Sequence, residues 1–251
     1  MNITIGWEKI MVAFVFSLFL IPYPWMQYRE GELFPFNTPT WSLFFEYIAN
    51  ISYMLLLSKL NRQVLLLLGV LSAGLLVFCA QRSGWLINGW GIDFISDGFA
   101  RVGYSFIAGM LICRFELIWK NKLGFIILSL LLLMALIVPH TTNDWILECM
   151  LVIICFPVII SLGAGATVNG FVRKLSLFLG RLSYPLYLTH ITLVTVFNSY
   201  YRANGITGMK LVVTVLVFAV LNIFLAYCVM RFYDEPVRRC LTDWIKKRCK
   251  L

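Results

Sequence analysis

Apolar runs of helix length alternate with short polar connectors along the whole chain. A helix needs roughly 20 mainly apolar residues to cross a bilayer. Such runs recur at about 7–23, 40–57, 64–80, 99–113, 123–138, 145–162, 177–200 and 210–232. Runs of this length and apolarity predict membrane-spanning helices. The expectation is an all-α polytopic bundle of about eight spans, forming a single domain over residues 1–251. The fourth run is short and needs its approach through residues 85–94 to reach across.

Composition and charge placement support this reading. Of 251 residues, 61% are hydrophobic and 13% charged, against about 25% charged in soluble domains. A net charge of +9 could indicate nucleic acid. The basic residues, however, cluster on alternate connectors: Lys59 with Arg62, then Arg114, Lys120 and Lys122, then Arg173, Lys174 and Arg181. A tail follows with Arg238, Arg239, Lys246, Lys247, Arg248 and Lys250. The intervening connectors are poorer in Lys and Arg: Arg29 stands with two glutamates, Arg82 with two aspartates, the connector with Asp144 has neither Lys nor Arg, and the last holds Arg202. That is a positive-inside pattern and not a basic binding face. It puts both termini in the cytoplasm, makes the bilayer the main partner, excludes nucleic acid, and predicts a multi-pass protein of the cell inner (plasma) membrane. Two long connectors, 25–39 and 81–98, then face outward. The second is rich in Gly, Trp and Asp and predicts an ordered cap. No C-x-x-C occurs, the cysteine spacings suit neither zinc nor a disulfide framework, and no metal site is expected. The first apolar run lacks a small-residue cleavage site and is not read as a signal peptide.

Ionisable groups inside apolar runs mark candidate sites. Glu46 lies in N-T-P-T-W-S-L-F-F-E-Y-I-A-N-I-S-Y, where Ser42, Glu46, Asn50 and Tyr53 share one helical face. It is either a general base or substrate-orienting carboxylate, or half of an ion pair between helices. Arg101, in R-V-G-Y-S-F-I-A-G-M, opens the fourth span at comparable depth; it either pairs with Glu46, which would satisfy both charges, or snorkels to the interface. His190, in L-G-R-L-S-Y-P-L-Y-L-T-H, falls near mid-membrane on the face of Ser183 and Tyr187. It is either a packing residue or part of a proton relay. Pro185 predicts a kink or the start of that helix. In Y-D-E-P-V-R-R, Pro236 predicts a helix stop before a basic interfacial tail, or a grip on an anionic ligand. His140, after Pro139, reads as a solvated loop residue.

Three of these segments in this order, F-P-F-N-T-P-T-W-S-L-F-F-E-Y, L-G-R-L-S-Y-P-L-Y-L-T-H and Y-D-E-P-V-R, resemble the membrane acyltransferase 3 family. An arginine followed by F-x-x-G (Arg101, Phe106, Gly109) matches in kind. The resemblance implies a bundle that moves an acyl group, commonly acetyl, from acyl-CoA (acetyl-CoA) as co-substrate, with no bound cofactor. The receiving hydroxyl belongs to a carbohydrate, glycan or lipid acceptor. It implies Glu46 and His190 as catalytic candidates, Trp41, Ser42, Arg101 and Tyr187 as substrate contacts, and Arg173, Lys174 and Arg181 as partners of the CoA phosphates. The family's first helix carries an Arg–His pair that has no counterpart here, since Ser129 and Leu179 stand where the Arg would precede His140 and His190. The expectation is therefore a chain that lacks the family's first two helices and its principal histidine. The competing readings are a permease-like transporter and a non-catalytic fragment.

Overall fold

The computed structural model describes residues 6–26, 31–138 and 144–248; Arg29, His140 and Lys250 lie outside the described residues. Among the described residues the chain is all-helical, with eight helices and no strand. They are α1 (Trp7–Leu18), α2 (Thr40–Leu55), α3 (Arg62–Ser83), α4 (Ile95–Arg114) and α5 (Gly124–Leu136). Then come α6 (Asp144–Gly165), α7 (Gly170–Asn204) and α8 (Gly208–Arg248). Each apolar run of the sequence lies in one of them. Three, α3, α6 and α8, are long and apolar enough to cross a membrane. By contrast α1 and α5, with 12 and 13 residues, reach only about 20 Å against a hydrocarbon core of roughly 30 Å.

The chain forms two compact units, the first ending at Asn169 and the second beginning at Gly170. In the first, α3 lies along α4, and α6 closes against them around Leu76, Cys79, Ala80, Ala100, Tyr104 and Cys149. Asn61 caps α3 by accepting the Val64 N–H at 2.8 Å. A second small core gathers Leu33, Phe34 and Phe45 with Trp41 and Phe44. The two long connectors bind each other through their backbones. Leu33 N–H donates to Trp90 O at 3.0 Å, Ile92 N–H donates to Gly31 O at 2.8 Å, and Glu32 and Gly91 form an antiparallel bridge. These bonds supply the order that the Gly-, Trp- and Asp-rich composition predicts.

In the second unit α7 and α8 pack along one another around Leu182, Ala226 and Met230, with Phe197 set edge-on to Phe218 at 5.4 Å. Two expectations from proline are corrected here. Pro185 does not start its helix: it lies inside the 35-residue α7. As a result Arg173, Lys174 and Arg181, expected on a connector, stand on α7 itself. Nor does α8 stop at Pro236; it continues to Arg248. What absorbs Pro236 is a π turn at Met230–Asp234, in which Glu235 N–H reaches back to Met230 O. The wider turn relieves the clash of the proline ring with the carbonyl four residues earlier. The same device precedes Pro157 in α6, where the π turn is Leu151–Cys155 and Phe156 N–H bonds Leu151 O.

Candidate functional site

The site in the first unit begins with a close approach between α2 and α4. A Cβ on Gly98 would lie 2.4 Å from the Phe45 ring, and one on Gly89 would lie 2.9 Å from both Gly98 Cα and Trp41. Only glycine lets the aromatic face of α2 seat so deeply, and Gly89 also has φ +127°, a backbone that side-chain-bearing residues rarely adopt. Phe45 is thereby buried against Phe99, their rings 4.9 Å apart. Trp41 turns toward Arg101, whose guanidinium lies 5.1 Å from the indole centroid. The same guanidinium donates to the carbonyls of Asn88 (2.8 Å) and Ile87 (3.2 Å). A cation stacked on tryptophan and tied to two carbonyls is held in one orientation while keeping its charge.

Arg101 lines a cavity of about 390 Å³ together with Trp41, Ile87, Leu136, Val152 and Phe156 and with Asp144 and Glu148 of α6. Glu148 is half-buried and accepts the Leu86 N–H with Oε2, which fixes the carboxylate at the cavity wall. A carboxylate has about four acceptor positions, so capacity remains for a hydroxyl. An anchored cation and an anchored carboxylate therefore line the same, mostly apolar chamber. Asp97 is only 2% exposed; it accepts from Arg82 at 2.5 Å and from Ser83 Oγ at 2.8 Å. This pair, with its carboxylate buried and its guanidinium half exposed, ties the end of α3 to the start of α4.

The sequence candidates separate in this geometry. Trp41 and Arg101 come together. Ser42 uses its hydroxyl on Pro39 O at 3.2 Å, at the start of its own helix. Glu46 lies on the exposed face of α2 and has no ion pair among the described residues, so the expected Glu46–Arg101 pair does not form. The reason is helical: residues 41 and 46 are five apart, about 140° around the axis, so the turn that aims Trp41 at Arg101 aims Glu46 away.

In the second unit His190 is half-buried, and its Nδ1 lies 2.6 Å from Tyr187 O, the two rings 5.8 Å apart. A carbonyl can only accept, so Nδ1 is the donor in this contact, and Nε2 has no hydrogen-bond partner among the described residues. Arg181 lines a groove of about 510 Å³ with Tyr184, Asp234, Glu235, Arg238 and Arg239, whereas Arg173 and Lys174 are exposed and do not line it. Sequence reasoning passed over Glu148 and Asp97. The signal for Glu148 was present, an acid inside an apolar run, the same rule that singled out Glu46. Asp97 read as part of a loop because its helix begins four residues earlier than the apolar run does.

Among known proteins, the family model described as an acyltransferase domain matches residues 5–231, across both units. No curated protein and no solved structure matches the chain.

Proposed function

Since the chain belongs to the acyltransferase 3 family, we propose that it is an integral membrane O-acyltransferase. In this reading it moves an acyl group, acetyl in the simplest case, from acyl-CoA to a hydroxyl of a carbohydrate, glycan or lipid. Its setting is the cell inner (plasma) membrane, with both termini and the donor on the cytoplasmic side. The observation that carries the reading is the chamber lined by both the oriented cation of Arg101 and the anchored carboxylate of Glu148. Acyl transfer needs these two functions, a positive charge for the carbonyl oxygen and a base for the attacking hydroxyl. Arg101 holds the acyl carbonyl oxygen as negative charge develops on it. Glu148 accepts the hydroxyl proton as the new C–O bond forms. The C–S bond of the thioester then breaks, and the proton ends on the departing CoA thiol.

Glu46 and His190, through its free Nε2, are the further base candidates. Ser42 and Tyr187 remain candidate acceptor contacts, and Arg173, Lys174 and Arg181 candidate donor contacts. The test is transfer from labelled acetyl-CoA in membranes containing the protein, with accumulation of each variant checked by immunoblot. Arg101→Ala and Glu148→Gln are expected to lower turnover about 100-fold each, the usual effect of removing one charge-stabilising group or one base. Wild-type turnover in both variants would remove the chamber from the mechanism. Wild-type turnover in Glu46→Ala or His190→Ala would remove that residue alone.

A further inference from the structure

We infer that the groove between α7 and the proline turn of α8 is a binding site for a phosphate group carried on an organic ligand. Three arginines, Arg181, Arg238 and Arg239, line it together with Tyr184, and two carboxylates, Asp234 and Glu235, share the wall. The carboxylates orient the arginines and do not cancel the site. Arg238 bonds Asp234 through Nε alone at 2.8 Å, leaving its terminal nitrogens as donors, and its guanidinium lies 5.9 Å from the Tyr184 ring centroid. Arg239 meets Glu235 through one terminal nitrogen at 3.6 Å. Arg181 makes no ion pair among the described residues. A guanidinium anchored on one edge and open on the other is pre-organised for the bidentate geometry of phosphate.

The space of about 510 Å³ far exceeds a bare phosphate ion and lies in the usual range for small-molecule sites. Two ligand sources share this chemistry, a soluble nucleotide such as CoA and the headgroup of an anionic phospholipid. Only the first rests on the acyl-transfer reading. Relative to that reading, the groove moves donor contact away from Arg173 and Lys174 and adds Arg238, Arg239 and Tyr184.

The test is calorimetric titration of the purified full chain, in detergent and in nanodiscs. The probes are CoA, 3′-dephospho-CoA, pantetheine and inorganic phosphate, and phosphatidylglycerol nanodiscs are compared with phosphatidylcholine ones. The expected result is binding of CoA, weaker binding of 3′-dephospho-CoA, none of pantetheine, and a loss of about tenfold or more in Arg181→Gln. Arg181→Gln removes a residue that holds no ion pair. Arg238→Lys keeps the charge but loses the planar fork and should weaken binding by a similar factor. A thermal melt of each variant reports whether it is folded. If CoA binds weakly but phosphatidylglycerol shifts the melt, and Arg181→Gln abolishes that shift, the phosphate site stands with a lipid as its source. If folded Arg181→Gln and Arg238→Lys behave as wild type toward both probes, the inference fails. Binding is read without turnover, so an inactive protein that binds CoA leaves the site standing. An active protein whose CoA binding ignores both variants removes the site and leaves acyl transfer intact.

Discussion

Pro157 in α6 and Pro236 in α8 pose the same problem to their helices and receive different tertiary answers. Each follows a π turn by two residues, Leu151–Cys155 in one case and Met230–Asp234 in the other. Each deprives the carbonyl four residues earlier of its helical donor. In the first unit that carbonyl is Ile153 O, and Tyr104 of α4 supplies a replacement, its Oη donating at 2.9 Å. In the second it is Phe232 O, and no side chain donates to it among the described residues; the Phe232 side chain itself is exposed. Proline alone thus sets the local backbone. Whether the break becomes a closed joint or an open notch depends on what packs beside it. The closed joint belongs to the helices that wall the Arg101 chamber, and the open one borders the arginine groove.

The charged groups repeat the contrast. Asp97 is buried in the first unit beneath a half-exposed Arg82, while Asp234 and Glu235 keep about a fifth of their side chains exposed beside arginines that are largely solvated. The largest expected effect is therefore at Asp97. Asp97→Ala should lower stability by about 2–3 kcal/mol, the range for losing charge-assisted hydrogen bonds, since the Arg82 left behind is half exposed. Titration with SDS in mild detergent would measure it, and an equal loss from Asp234→Ala would erase the contrast. Next is Tyr104→Phe, expected to cost about 1–2 kcal/mol by leaving Ile153 O without its donor. In a Pro157→Ala background the restored N–H should make the same substitution nearly neutral. A double-mutant cycle with additive terms would show that Tyr104 does not close the joint. The smallest effect is at the open notch: Arg239→Ala should change stability by less than about 0.5 kcal/mol, as solvated helix pairs do. A larger loss would mean that the groove pairs act as structure and not as a ligand surface.

Much of the fold was legible because apolar runs of helix length admit few alternatives. All eight runs lie in helices, though their ends moved. α7 begins at Gly170 and not near residue 177, since no membrane-like composition is needed to continue a helix past the apolar stretch. Proline was read too strongly as a boundary at both Pro185 and Pro236. A helix supported by a packed neighbour absorbs a single proline, by burying it at Pro185 or by widening a turn before Pro236. The site was legible by residue type more than by partnership. Trp41 and Arg101 are both candidates by residue type, but the sequence offers Glu46 as a possible partner of Arg101, because depth in a membrane can be read from sequence while direction around an axis relative to a neighbour cannot. Glu148 obeyed the same rule of a buried acid and became visible only when its carboxylate met the Leu86 N–H.

The sequence by itself determined a helical membrane protein and its family, since hydrophobic run length, charge asymmetry and three ordered motifs are local properties of the chain. Tertiary structure alone decided which charges meet. Arg101 faces Trp41 and the cavity, Asp97 takes Arg82, Tyr104 closes the break at Pro157, and Arg181 joins Arg238 and Arg239. Those pairings depend on how each helix is rotated about its axis, which is set by close contacts such as Gly98 against Phe45. A rotation of that kind leaves no trace in the spacing of residues along a single helix.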